Sequence, residues 1–251
     1  MCNPYIRHCI GSSSWLVQGR WASVVRCLSR LLKTQVTMSV DYYYTPISAP
    51  CRASLLTAKA VGVELNLKEL NLLAGEQMKP EFLAINPQHC VPTMVDGDLA
   101  LWESRPICTY LASQYGKDDS LYPKDPKTRA KVDRLLYFDM GTLYHRFGEY
   151  VYPVIFGGQP RDEEKLVKND EALGWLNDWL AGHDWAVGNN LTVADHSLVA
   201  TVSTMEAAGI DLAKHTNISS WLGRCKTKMA GYNDLNTPGA VKFGEMFTSK
   251  N

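Results

Sequence analysis

A change of pattern near residue 117 constrains this chain most. Between Asp41 and Tyr115, short strand-like runs alternate with helical runs, whereas beyond Pro126 the periodic segments all carry the spacing of amphipathic helices. The aromatic run Asp41-Tyr42-Tyr43-Tyr44 reads as a strand, broken by Thr45-Pro46. Residues 50–61 read as a helix with Leu55, Leu56 and Ala60 inward, and Pro50 suits its first turn. Glu64 to Leu70 alternates as a half-buried strand, and a short helix is expected around Glu76 to Leu83. A proline-flanked turn at 87–92 leads to two strands, Thr93 to Val95 and Leu99 to Trp102, flanking the hairpin signal Asp96-Gly97-Asp98. Ser104 is placed to cap a helix from Pro106 to Tyr115.

The polar stretch Lys117 to Pro126 reads as a linker. Beyond it, one long helical segment is expected from Lys127 to about Ile155. Asp162 is expected to cap a helix running to Leu180, with Leu173, Leu176 and Leu180 inward. Thr192-Val193-Ala194-Asp195 has the spacing of a capping box opening a buried helix. Asn217 is expected to cap the helix that carries Trp221. The expected organisation is a leader over 1–37, an α/β domain over 38–119 and an all-α domain over 126–251.

Composition excludes several classes. The hydrophobic fraction of 45% and charged fraction of 21% are those of a globular chain, and no run of about 18 apolar residues could span a membrane. Beyond residue 37 there are 21 basic against 26 acidic residues, which gives no general attraction for nucleic acid. Seven irregularly spaced cysteines without Cys-x-x-Cys match neither a disulfide framework nor a zinc site, and point to a reducing compartment. The leader contains no acid, and Trp21, Val24, Val25, Leu28, Leu31 and Leu32 fall on one helical face with Arg20, Arg26, Arg30 and Lys33 interleaved. It reads as a mitochondrial transit peptide or as translation from an upstream start, with Met38 a natural first residue of the body.

Three short segments carry the chemistry: Ser48-Ala49-Pro50-Cys51-Arg52, Asn86-Pro87-Gln88-His89-Cys90-Val91-Pro92, and Trp102-Glu103-Ser104-Arg105. Each has a plain structural reading. Ser48 reads equally as a helix cap or as a hydroxyl donor. Glu103 to Arg105 alone reads as a helix start with solvated charges, and His89 as a surface histidine. Met140, Tyr144 and Phe147, continued by Tyr152 and Phe156, lie at helical spacing; alone they read as core. Tyr42, Tyr43 and Tyr44 read as sheet packing.

Together, in this order and spacing, the three segments resemble the glutathione site of cytosolic glutathione transferases, most closely the insect delta class, with epsilon as its neighbour. The resemblance covers roughly residues 40–247 and includes Tyr137 to Tyr144 and Leu191 to Asp195. It implies a thioredoxin-like N-terminal domain and an all-helical C-terminal domain, assembled as a homodimer, cytoplasmic, with residues 1–37 leaving a mitochondrial form open. It implies conjugation of glutathione to hydrophobic electrophiles in detoxification, with peroxide reduction or dehydrochlorination as side activities and no metal. Glutathione is the co-substrate, and no nucleic acid or membrane partner is expected.

In this resemblance Ser48 donates to the glutathione sulfur, and Pro92 is cis, presenting Val91 to the cysteinyl backbone beside Cys90. His89 reaches the glycine carboxylate, while Glu103, Ser104 and Arg105 hold the γ-glutamyl head. Met140, Tyr144, Phe147, Tyr152 and Phe156 line the electrophile site. Three positions depart from the family pattern: Ile47 where glycine is common, Gln77 where histidine is common, and Pro106 for alanine. A carrier of apolar ligands on the same fold is the alternative. A thiol–disulfide oxidoreductase is disfavoured, because Ser48 occupies the attacking position ahead of Cys51.

Overall fold

The computed structural model describes residues 39–250. The leader, residues 1–37, lies outside the described residues. Strand β1 (Val40–Tyr44) is followed by α1 (Ala49–Val61) and β2 (Leu65–Glu69). Two 3-10 turns (Leu72–Ala74 and Glu76–Met78) and the short α2 (Pro80–Leu83) replace the single helix expected there. Then come β3 (Thr93–Asp96), β4 (Leu99–Trp102) and α3 (Ser104–Tyr115). The sheet order is β2-β1-β3-β4, with β1 parallel to β2 and the other pairs antiparallel. β2 is therefore an edge, and its Leu67 is 45% exposed rather than half-buried as the alternation implied.

The helical half comprises α4 (Pro126–Phe138), a π-helical turn (Asp139–Leu143), α5 (Tyr144–Gly157), α6 (Glu163–Trp179), α7 (Val193–Ala207) and α8 (Thr216–Lys228). A second π-helical turn (Tyr232–Asn236) leads into α9 (Thr237–Thr248). Among the described residues no helix is long and apolar enough to cross a membrane.

Two cores result, and α1 belongs to both. Leu55 and Ala58 pack with Val40, Tyr42, Met94, Ile107 and Leu111 between the sheet and α3. Ala49, Ala53 and Leu56, on the other side of the same helix, join the large core around α7. Ala60, expected inward, is exposed. α1 packs against both α3 and α7, with alanines beside Leu55 on one face and beside Leu56 on the other.

Caps follow local chemistry, with two corrections. Asp162 accepts from the backbone N–H groups of Glu164 and Lys165, as expected. Thr192 and Asp195 form the reciprocal capping box. Asp195 also accepts from Trp221 Nε1 at 2.9 Å and from the Ala186 N–H at 2.8 Å, tying α7 to α8. The N-cap of α3 is Glu103, leaving Ser104 as its first helical residue. The N-cap of α8 is His215, so Asn217 lies inside the first turn, where its N–H donates to Asn177 Oδ1 at 3.0 Å.

Two predictions follow from these buried polar contacts. Asp195→Ala strands the Trp221 indole N–H and two backbone N–H groups in the core. It is expected to lower unfolding free energy by at least about 3 kcal/mol, read from the denaturation midpoint. His196 is buried and shares a 3.0 Å hydrogen bond with Thr57; burial brings its pKa down to about 4. The fold therefore prefers the neutral ring: its contribution is complete above pH 6.5 and is lost as pH falls toward 4. Denaturation across that interval is expected to show up to about 3 kcal/mol of pH-dependent loss that His196→Gln lacks.

Candidate active site

Ser48 sits immediately before α1 with extended backbone angles, φ −76° and ψ 115°. Its Oγ accepts from the Cys51 N–H at 3.3 Å, which satisfies one orphan donor of the first turn. That bond uses a lone pair only, so the cap itself does not consume the hydroxyl proton. Cap and donor are thus compatible roles, and the two readings of Ser48 do not exclude each other. Its preceding carbonyls, Pro46 and Ile47, accept from the Arg52 guanidinium at 3.1 and 2.9 Å. A Cβ added to Gly239 of α9 would lie 1.9 Å from the Pro46 oxygen, so glycine is required where α9 crosses this loop.

The second segment is organised by buried Asn86. Its Nδ2 donates to Thr93 Oγ1 at 2.8 Å and to the Cys90 carbonyl at 3.2 Å, while its Oδ1 accepts from the Gln88 N–H at 2.9 Å. The Val91–Pro92 peptide is cis, as the resemblance implied. Val91 is half-buried, and His89, at φ 44°, leaves its imidazole exposed. Trp102 Nε1 donates to Gln88 Oε1 at 2.7 Å, which binds this turn to the third segment.

In the third segment Glu103 adopts φ 70° and ψ 112°, a sparsely populated region for a residue with a side chain. Such conformations persist where the surroundings over-determine the backbone, and they cluster at binding sites. Glu103 is exposed; Ser104, 2% exposed, begins α3 with its N–H at the positive end of the helix.

Arg105 does not offer the free cation expected of it. It is buried, donating to Ser104 Oγ at 3.0 Å and to Asp139 Oδ2, which also accepts from the Ser197 hydroxyl. Burial works against its charge, but the Asp139 carboxylate outweighs that and holds its pKa above the ordinary value. Its guanidinium also lies 5.7 Å from the Tyr144 ring centroid. Arg105 thus fastens the start of α3 to the π-turn and to α7.

The apolar residues expected on one face separate into three places. Phe147 is 1% exposed and packs against Phe243 in the core, so it cannot line an open site. Met140 lies in a groove of about 380 Å³ with Glu103, Arg105, Pro106, Leu136 and Tyr137. Tyr144 and Tyr152 share a 2.5 Å hydroxyl contact, and Phe156, 59% exposed, lies 5.9 Å from the Tyr152 ring. The π-turn Asp139–Leu143 accounts for Met140, since its wider turn breaks the i, i+4 register with Tyr144, while Phe147 faces inward from α5 itself.

Tyr42 is fully buried, its hydroxyl donating to the Cys51 carbonyl at 2.9 Å, in keeping with sheet packing. Burial pushes the Cys51 thiol up to about 11, which leaves it inert at neutral pH. No cluster of potential metal ligands occurs among the described residues. Sequence reasoning assigned no role to Arg52, Asn86, Ser197 or Asn236. Only Arg52 carried a signal, as a charged residue set between the small apolar residues Cys51 and Ala53 of a helical run.

Comparison with known proteins places this geometry. Residues 38–113 match the model of the glutathione S-transferase N-terminal domain, and residues 127–228 that of the C-terminal domain. Glutathione S-transferase D7 of Anopheles gambiae is 49% identical over 215 residues, covering 85% of this chain and 99% of that protein. A delta-class glutathione transferase of Nilaparvata lugens superposes with a TM-score of 0.83 at 53% identity, covering 84% of this chain and all of its own. A glutathione transferase homologue of Drosophila mojavensis, solved with bound glutathione, gives 0.81 at 35% identity, over 84% and 97% of the two chains. An epsilon-class enzyme of the housefly, Musca domestica, gives 0.81 at 36%, over 85% and 99%. With both domain models matched and relatives covering most of its length, the chain belongs to the glutathione S-transferase family.

Proposed function

We propose that this chain conjugates the thiolate of glutathione to hydrophobic electrophiles, with Ser48 donating its hydroxyl to the sulfur. One observation carries the reading: the Ser48 oxygen caps α1 at the helix's positive end through a lone pair, a bond that does not consume its proton. The thiolate is the nucleophile, so the site must lower the pKa of a free thiol, about 8.5, by roughly two, or about 2.7 kcal/mol. A hydrogen bond to a charged acceptor contributes about 1.5–3 kcal/mol, and a helix terminus about 0.3–1 kcal/mol. Together they contribute about 1.8–4 kcal/mol, enough for the requirement at the middle of their ranges.

The rest of the tripeptide suits the donors at hand. The backbone of Val91, beside Cys90 and the cis Pro92, offers an edge for the cysteinyl unit. The Ser104 N–H at the start of α3 suits the γ-glutamyl carboxylate, and exposed Glu103 suits the ammonium. Arg105 serves indirectly, by orienting Ser104 Oγ. His89 is exposed and suits the glycine carboxylate. Tyr144, Tyr152 and Phe156 form the apolar patch for the electrophile, with Met140 at a separate edge. Detoxification is the role such breadth serves.

Ser48→Ala is expected to reduce turnover of a generic aromatic electrophile by about 10- to 100-fold while glutathione still binds. Steady-state rates alongside equilibrium titration check this; an unchanged rate would remove Ser48 from the chemistry.

A homodimer is the assembly that fits family membership. The Met140 groove, with Tyr137 70% exposed beside it and Pro106 and Arg105 opposite, offers apolar surface drawn from both halves of the chain. Sedimentation of the Met38-start protein at micromolar concentration is expected to give a dimer; a monomer there would contradict the assignment.

A further inference from the structure

Of the two charged residues in α1, Lys59 is exposed and Arg52 is completely buried. The Arg52 guanidinium has five N–H donors, and the structure supplies five acceptors. Nε donates to Asn236 Oδ1 at 3.0 Å, one terminal nitrogen to the Pro46 and Ile47 carbonyls, and the other to Thr204 Oγ1 and to the Ala200 carbonyl at 3.2 Å. Every acceptor is neutral. Among the described residues no carboxylate lies within ion-pair distance of this cation.

The titratable groups that face Arg52 are Cys51 on its own helix, Tyr144 and Tyr152 on α5, and Tyr232 on the second π-turn. Burial raises the pKa of each of the four, so all are neutral at physiological pH. Burial also lowers Arg52 itself, but only to about 10, so it keeps its charge. An ion with satisfied hydrogen bonds and no counter-charge leaves a positive potential around it in a low-dielectric interior. The Ile47 carbonyl that it holds is bonded directly to the Ser48 nitrogen, and one helical turn separates the two side chains.

We propose that Arg52 is a positioning residue acting through charge: its buried guanidinium holds the glutathione thiol, bound at Ser48, in its ionised form. The site thereby supplies the anion that the fold withholds, and the counter-charge arrives with the substrate. This inference rests on the reading of Ser48 given above.

Asn236→Asp is the direct test, because it places a carboxylate on the Nε acceptor without changing side-chain size. Asn236→Ser is its uncharged control. The pKa of bound glutathione, read from the ultraviolet absorbance of the thiolate and from the pH profile of kcat/KM, is expected to rise by about one in Asn236→Asp and to stay put in Asn236→Ser. A folded Asn236→Asp with the wild-type thiol pKa would overturn the proposal. If that variant fails to fold, Arg52→Met and Arg52→Lys decide: the thiol pKa should rise only in Arg52→Met, and equal values in the two overturn the proposal. Ser48→Ala in the same assay separates the two readings. A thiol pKa that moves in Ser48→Ala but not in Asn236→Asp sinks the role of Arg52 alone, and the converse sinks the role of Ser48 alone.

Discussion

The buried guanidinium of Arg52 joins three separate stretches of this chain. It reaches the loop before α1, two positions on α7 and the π-turn before α9, using every N–H it has. Burying a cation costs several kcal/mol unless its hydrogen bonds are all made, so the arrangement tolerates little rearrangement. A lysine, with three donors on a single nitrogen, could not span these acceptors. The crossing of Gly239 over Pro46 adds a steric condition to the electrostatic one. The Ser48 backbone is therefore fixed by long-range contacts as much as by its own helix.

α7 is where those contacts collect. It is buried almost from end to end and mostly apolar, yet it turns several polar groups toward the α/β half and its neighbours. His196 meets Thr57, Ser197 meets Asp139 beside Arg105, Ala200 and Thr204 meet Arg52, and Ser203 meets Asn236. Apolar contact alone would let two smooth surfaces slide, since hydrophobic attraction is non-directional. Paired polar groups specify one register between α1, α3 and α7. The two arginines work alike: each leaves a site segment, crosses the seam and is received on α7 or immediately beside it.

The alternation of elements up to Tyr115 and the helical region after Pro126 were legible because they depend on local periodicity. Asp162 and the Thr192–Asp195 box were legible because caps are local too. The misreadings share another origin. Arg105 looked solvated because its partner lies 34 residues away, on a turn that no spacing rule links to it. Met140 was grouped with Tyr144 on the assumption of an unbroken 3.6-residue period, which the π-turn at Asp139 interrupts, whereas Phe147 lies on the inward side of α5 itself. Ser104 looked like a cap because serine favours that position, yet the positive φ of Glu103 starts α3 one residue earlier. Local chemistry located the site segments; long-range pairing determined how their side chains point.

On the proposed reading, the site divides its work between backbone and side chain. Recognition of the tripeptide draws on the Val91 peptide and the first turn of α3, groups that every substitution except proline retains, and on the side chains of Glu103 and His89 at its two charged ends. The thiol end relies on a hydroxyl and a helix terminus, with a charge held behind them. The electrophile patch relies on aromatic side chains of α5 that range from half-buried Tyr144 to exposed Phe156, with Tyr152 resting on core residue Phe243. Constraint therefore decreases outward from α7. The Arg52 and Arg105 anchors are the most constrained, the glutathione backbone contacts are indifferent to most side chains, and Phe156 at the outer edge of the patch is the least constrained.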